Sequence, residues 1–310
     1  MKHLICVDNG NKCHKALGRN EESNICYSTG YIESEFEPIS KENLLIYNGK
    51  FYSIGTGRFS TIFNKAQDER SFILTLPAVG NYLGEQYTSD TTNIILAVGL
   101  PIATFGKLKE EFRRYFLRDN INFCWNGKEY KVNIKDCLVF PQGYSAFLTI
   151  YNDFKDIQVL CCDIGGYTVD IFNVNKGGKL DIASAISLNR GVIKLFRNIQ
   201  QELIKQDIRI TEEQIEEVLK GSNPVMLDET IVSLINSKAK QYTENLIDEL
   251  REFGYETRIN PIIFVGGGAM LLKRFIEQSN KVGYVEFLDQ YANCRGYQLL
   301  ARKALSMKGE

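Results

Sequence analysis

Twice in this chain a short apolar run meets an aspartate, turns on glycine and resumes as a second strand-like run. The first copy is Val7-Asp8-Asn9-Gly10-Asn11-Lys12-Cys13-His14-Lys15. The second, about 155 residues on, is Asp163-Ile164-Gly165-Gly166-Tyr167-Thr168-Val169-Asp170-Ile171, after the apolar run 157–162. Such a repeat points to a duplicated α/β architecture, each half presenting one hairpin to a cleft between the halves, where ligands tend to bind. At 310 residues the chain is long enough for two average domains.

A third segment, Ile262-Ile263-Phe264-Val265-Gly266-Gly267-Gly268-Ala269, reads as a strand that breaks on three glycines and enters a helix. Glycines let backbone N–H groups approach phosphate oxygens with no side chain in between. A carboxylate at the end of a strand is well placed to hold a hydrated Mg2+, an ion that keeps several of its waters. Lys15 can supply a point charge to phosphates, and a glycine triplet can set a ligand against a helix N-terminus. Each piece has a plainer alternative: Asp-x-Gly turns are commonplace, and glycines at a helix entry also serve close packing. Their combination carries the reading. The triplet is not G-x-G-x-x-G and no G-x-x-x-x-G-K-[ST] occurs, so dinucleotide-binding and P-loop folds lose ground.

Elsewhere strands alternate with helices. Asn48-Gly49 and Asn126-Gly127 each lie between strand-like runs and predict type I′ hairpins, so the sheets are mixed rather than purely parallel. Residues 94–98 read as a buried strand. Leu108, Phe112, Tyr115 and Phe116 share one side of a helix over 107–118, and Val192, Leu195, Phe196, Ile199 and Leu203 one side of a helix over 191–205. Thr211 with Gln214 forms a capping box for a short helix that stops near Gly221 and Pro224. A longer helix covers about 228–252. Residues about 33–90 and 206–255 read as insertions into the two halves, and 57–71 and 81–92 as mobile on composition.

A formal net charge of −1 argues against a dedicated nucleic-acid binder. The eight cysteines form no C-x-x-C pair and only His3 and His14 could join them, so a zinc site is not expected. No apolar segment approaches the roughly 20 residues of a membrane span. Met1-Lys2-His3 runs into an apolar stretch broken by Asp8, so no signal peptide is expected and a cytoplasmic location is.

In five places, in order, these residues resemble the actin/Hsp70/sugar-kinase superfamily. Asp8 to Lys15 resembles its phosphate-1 loop, Phe140-Pro141-Gln142-Gly143 its connect-1 segment, and Asp163 to Asp170 its phosphate-2 loop. Phe264 to Met270 resembles its adenosine motif, and Asn293-Cys294-Arg295-Gly296-Tyr297 its connect-2 segment. Gly99-Leu100-Pro101 before a basic helix, Ala292-Asn293-x-Arg295-Gly296-Tyr297 and the chain length resemble the ParM-like (StbA-type) branch of bacterial actin-like plasmid segregation proteins.

The resemblance implies an α/β, two-domain actin-like ATPase fold: duplicated RNase H-like mixed sheets flanked by helices, with a nucleotide cleft between the domains. Domain I would be 1–154, with the helix 296–310 packing back on it, and domain II 155–295. Asp8 and Asp163 would hold Mg2+ through its waters, and Lys15 would contact the β- and γ-phosphates. Gly10, Asn11, Gly165, Gly166 and Tyr167 would cradle the phosphates. Gly266, Gly267, Gly268 and Ala269 would line the base and sugar pocket with Arg190, Gly191 and Lys194. Gln142 would position the attacking water, since a glutamine cannot act as the carboxylate base of a kinase but can orient water. The implied activity is hydrolysis of ATP, with GTP left open, coupled to assembly of a homopolymeric filament. That filament would segregate plasmid DNA through a DNA-binding adaptor at a centromere-like site, with no direct nucleic-acid or membrane contact. The alternative is a non-polymerising small-molecule kinase or phosphatase of the same superfamily.

Overall fold

Asp8 lies near the end of β1 (His3–Asn9), which is buried from Ile5 onward, as a strand covered on both faces must be. The computed structural model describes residues 3–59, 65–66, 68–84, 87–88, 90–222 and 226–307. The chain divides into two units, Met1–Thr149 with Tyr291–Glu310, and Ile150–Gln290.

In the first unit β1 is followed by β2 (Cys13–Ala16), β3 (Ile25–Ser28), β4 (Tyr31–Ser34), β5 (Leu44–Tyr47), β6 (Lys50–Ile54), β7 (Thr92–Leu100), β8 (Arg118–Trp125) and β9 (Lys128–Pro141). They form one nine-stranded sheet in the order β3-β2-β1-β7-β9-β8-β5-β6-β4. β1, β7 and β9 are parallel; the flanking strands are antiparallel. Both Asn-Gly turns form as the sequence predicts. Asn48 and Gly49 (φ 50° and 74°) close β5–β6, and Asn126 and Gly127 (φ 48° and 80°) close β8–β9, the left-handed pair of a type I′ turn.

Helix α1 (Arg70–Leu83) packs on β1, β2 and β8, and α2 (Ile102–Phe116) on β7 and β9. The periodicity places a helix over 107–118; α2 begins five residues earlier, directly after Pro101, and ends before Leu117 turns extended. No helical period announces α1. Ten of its fourteen residues are buried and Pro77 sits inside it, so a helix covered nearly all round shows an apolar run in place of a stripe. The stretches 57–71 and 81–92 lie partly outside the described residues, and α1 begins and ends within them. After β9, the single turn α3 (Tyr144–Phe147) closes this part of the unit.

The second unit opens with α4 (Tyr151–Phe154), then β10 (Val159–Ile164), β11 (Val169–Asn175) and β12 (Lys179–Leu188), an antiparallel meander. Helices α5 (Val192–Ile204), α6 (Glu212–Leu219) and α7 (Glu229–Glu252) intervene before β13 (Ile262–Val265), α8 (Gly266–Glu277) and β14 (Val285–Leu288). The sheet order β12-β11-β10-β13-β14 repeats β3-β2-β1-β7-β9 strand for strand, with β13 and β14 parallel to β10. The duplication is thus written into the topology.

The capping box forms: the Gln214 N–H donates to Thr211 Oγ1, and the Thr211 N–H to the Gln214 side chain. The helix stops before Gly221; Pro224 lies outside the described residues. α7 starts on Asp228 and buries Ile235, Tyr242, Leu246 and Leu250 on one stripe. The last helix, α9 (Ala292–Met307), returns to the first unit and packs on α3, β1 and β7. Among the described residues no helix is long and apolar enough to cross a membrane.

Candidate functional site

Cross-strand partners in a sheet project to the same face. The pairing of Asp8 with Lys15 therefore sets an ammonium against a carboxylate, with Lys15 Nζ 3.1 Å from Asp8 Oδ2. Gln142, just past β9, donates from Nε2 to the other oxygen, Asp8 Oδ1, at 2.7 Å. Its own backbone N–H donates to Leu100 O at 2.8 Å, and the next N–H, on Gly143, donates to Asn293 Oδ1 at 2.8 Å. Gly99 lies so close to Tyr297 and Gln142 that a side chain there would collide with both. Asp8, Lys15 and Gln142 thus come together, propped by the Gly99 and Asn293 segments. Burial pushes the Asp8 carboxyl up. The charges of Lys15 and Lys65 and the hydrogen bonds from Lys15 and Gln142 outweigh burial and hold it below the ordinary value.

The turn beyond Asp8 aims its backbone. Asn11 O accepts from Thr29 Oγ1 at 3.0 Å and Lys12 O from the Thr29 N–H at 3.2 Å. In a trans peptide the C=O and the following N–H point opposite ways, so the N–H groups of Lys12 and Cys13 face away from Thr29. A Cβ on Gly10 would come 2.5 Å from Cys13 O, leaving room for glycine alone.

The second hairpin keeps the same register. Val7↔Ala16, Asp8↔Lys15 and Asn9↔His14 in β1–β2 correspond to Cys162↔Ile171, Asp163↔Asp170 and Ile164↔Val169 in β10–β11. Here the carbonyls of Gly165, Gly166 and Tyr167 accept from the N–H groups of Val192 (3.2 Å), Ile193 (3.0 Å) and Gly191 (2.8 Å) at the start of α5. Three successive peptide planes turn their carbonyls to α5 and their N–H groups, on Gly166, Tyr167 and Thr168, the other way. That row of donors is of the anion-binding kind. A Cβ on Gly191 would collide with Gly166, so hairpin and helix meet backbone to backbone.

The glycine triplet divides its work. Gly266, at φ 94°, carries the chain past Asp163, where a Cβ would stand 2.8 Å from Oδ1. Gly268 lies against Ile164 and Val192, while Gly267 has only Gln290 nearby, at 3.7 Å from a built Cβ. Ala269, expected to line a pocket, is fully buried in the core. Arg190 and Lys194 line a groove of about 290 Å³ between α5 and α7, together with Asn198, Lys238, Gln241 and Asn245. Gly266, Gly267, Gly268 and Ala269 are not part of that lining.

Two groups escaped the sequence reading. Asp170 follows Asp163 at the interval by which Lys15 follows Asp8, and that interval was its signal. Lys238, Gln241 and Asn245 sit on the polar side of α7, where nothing in the sequence tells a groove from solvent.

Among the described residues no group of three or more His, Cys, Asp or Glu could hold a metal ion directly. Single strand-end aspartates with few direct ligands suit an ion that keeps its waters, and Mg2+ is such an ion. The backbone donors beside them suit phosphate oxygens.

A chain built as two such halves, each with a strand-end aspartate and a turn of outward-facing amides, has the make-up of the actin-like class. Two family models match it in order: "Actin like proteins N terminal domain" over residues 6–144 and "Archaeal actin homologue MreB-like, C-terminal" over residues 161–278. The chain belongs to the actin-like proteins. Its fold is similar to that of Ta0583, an archaeal actin homolog solved in complex with ADP (19% identity, 97% of this chain and 99% of that one, TM-score 0.73). It is also similar to the actin-like protein Alp7A (16%, 99% and 97%, 0.76). A third likeness is to the subunit of a 15-stranded ParM filament from Clostridium botulinum (19%, 97% and 99%, 0.76). No curated protein matches the chain by sequence.

Proposed function

We propose that the chain is a filament-forming, nucleotide-dependent ATPase that segregates plasmid DNA. The observation that carries this reading is the duplicated hairpin, in which one register supplies two aspartates and two sets of aimed backbone amides. Each unit gives one hairpin to the phosphates of a nucleotide. Lys15 and the aimed amides of the two turns, on Lys12 and Cys13 beyond Gly10 and Asn11 and on Gly166, Tyr167 and Thr168 beyond Gly165, hold the phosphate oxygens, and Asp8 and Asp163 hold Mg2+ through its waters. Bound there, the metal offsets phosphate charge. Gln142, fixed on Asp8 through Nε2, orients the attacking water with its amide. Arg190, Gly191, Lys194 and the open side of Gly267 serve the sugar and base.

ATP is favoured because Ta0583 was solved with ADP; GTP stays within the proposal. Self-assembly draws on the likeness to the subunit of a ParM filament; a DNA-binding adaptor and a cytoplasmic location complete the proposal. The test is light scattering and phosphate release from purified protein given Mg-ATP and then Mg-GTP. Scattering that rises and then falls as phosphate appears supports the proposal. No scattering at micromolar protein, with phosphoryl transfer to a small acceptor, overturns it in favour of a kinase.

A further inference from the structure

We infer that the first unit holds a second site, for hydrogen phosphate, on the reverse face of its β1–β2 hairpin, bordering the turn at Gly10 and Asn11. Side chains alternate across a strand, so Asp8 and Lys15 project to one face of the hairpin and their neighbours Asn9 and His14 to the other. On that other face lies a cavity of about 50 Å³ lined by Asn9, His14, Thr29, Lys65, Asp68 and Ser71, and bordered by Gly10 and Asn11 of the turn. Asn9 is 3% exposed and His14 1%. Neither amide atom of Asn9 nor Nε2 of His14 has a hydrogen-bond partner among the described residues. Buried polar atoms are almost always paired, and three orphans on one small cavity mark a place where something binds.

The second unit shows that the hairpin does not need these groups to fold. The same register positions there are Ile164 and Val169, both fully buried in the core. The polar pair in the first unit therefore has another reason to be present.

The chemistry selects the occupant. Asn9 offers a donor and an acceptor together. Burial keeps the His14 imidazole neutral, its pKa lowered to about 3, so it offers a single N–H. Lys65 lines the cavity and donates to Asn9 O, its charge set against that of Asp8, which acts more strongly on His14, while Asp68 is already paired with Arg70 at 2.7 Å. Sulfate can only accept. Hydrogen phosphate accepts from Asn9 Nδ2 and His14 Nε2–H and donates its P–OH to Asn9 Oδ1. The cavity has several times the roughly 10–15 Å³ that one water needs, room for a five-atom oxyanion. The phosphate has two sources, solution or cleavage of a nucleotide, and only the second rests on the function proposed above.

The test is calorimetric titration of inorganic phosphate into the nucleotide-free full chain, with sulfate at matched ionic strength as control. Saturable phosphate binding at least about tenfold tighter than sulfate is expected, as is a roughly tenfold or greater weakening in His14→Phe, which keeps a ring against Tyr27. Asn9→Asp, nearly isosteric, sets a carboxylate against the anion and should weaken it as much; it stands in should His14→Phe not fold. Equal affinity for phosphate and sulfate, or phosphate binding unchanged in the folded variants, overturns the site. No nucleotide is present, so this result is independent of whether the chain hydrolyses one. A single turnover of Mg-ATP then separates the sources. A delay between cleavage and phosphate release that shortens in His14→Phe assigns cleavage, and a delay that does not change assigns solution phosphate; the titration supports the site in both cases.

Discussion

Laid residue against residue, the hairpins β1–β2 and β10–β11 pair the same positions with opposite chemistry. On one face Asp8 meets Lys15 where Asp163 meets Asp170; on the other Asn9 meets His14 where Ile164 meets Val169. Both copies aim backbone amides away from a supporting element, so the backbone carries what they share and the side chains carry the difference. The first aspartate is neutralised within its own hairpin. The second stands in register with another aspartate, and a nearby divalent cation would offset the charge of such a pair. In the proposed site, Mg2+ has more to gain beside Asp163 than beside Asp8.

The sharpest way to break this contrast is to change the two partners. Lys15→Met leaves the buried Asp8 carboxylate only the Gln142 hydrogen bond and the charge of Lys65, and should cost about 3 kcal/mol of stability, because both side chains are mostly shielded, at 14% and 4% exposure. Asp170→Asn should cost less than about 1 kcal/mol, since its amide oxygen can still accept from the Thr168 hydroxyl and it removes a like charge in register with Asp163. Urea unfolding of both variants decides, and equal losses would end the distinction. Next in size is Asp163→Ala, which should lower nucleotide-dependent phosphate release by about 10²–10³-fold while circular dichroism and the unfolding midpoint hold. Unchanged turnover would remove Asp163 from the metal assignment.

A pH series reads the reverse face, where only the first hairpin can titrate. Unfolded His14 takes up a proton below its ordinary value of 6.5, but the folded, buried ring does so only near 3. Between those values the unfolded state binds more protons. Stability should therefore fall on acidification by up to about 1.4 kcal/mol per pH unit and stay flat above about pH 7. His14→Phe should flatten the slope between pH 6 and 4. Asp8 acts in the next window down: its folded pKa is depressed below 3.8, so its stabilisation is present above that value and is lost as pH falls through the folded pKa. A wild-type slope that survives in His14→Phe would place the acid sensitivity elsewhere.

What was legible in the sequence was local chemistry. The Asp-Gly turns, both Asn-Gly hairpins and the Thr211–Gln214 box each state their geometry in a few adjacent residues. What was not legible depends on partners far along the chain. α1 hides because burial on nearly every side erases its period, and Pro77 reads as a breaker. Asp170 reads as an ordinary strand residue until the register sets it opposite Asp163. Gln142 could be picked out by type and position, but its bond to Asp8, 134 positions earlier, is a product of β9 lying two strands from β1. The glycine triplet reads as one motif in sequence, and only the fold shows that Gly266 passes Asp163, Gly268 lies against Ile164 and Val192, and Gly267 has Gln290 alone nearby.

That triplet provides the smallest and most local test. Gly268 of α8 fills the reverse face of the second hairpin, where a Cβ would come 2.5 Å from Ile164 O and 2.9 Å from Val192 Cγ1; the first hairpin has its cavity over Asn9 instead. Gly268→Ala must push apart close-packed backbone, at about 1–3 kcal/mol, offset in part by the roughly 1 kcal/mol that alanine gains over glycine in a helix. Gly267→Ala gains the same propensity and meets nothing closer than 3.7 Å. A net loss of about 1 kcal/mol is expected for Gly268→Ala and none for Gly267→Ala, by urea unfolding. ADP affinity should move the other way, falling in Gly267→Ala if that open side serves the sugar or base. Should Gly268→Ala fold without loss, the second hairpin is not filled from behind by α8, and the contrast with the cavity behind the first loses its structural basis.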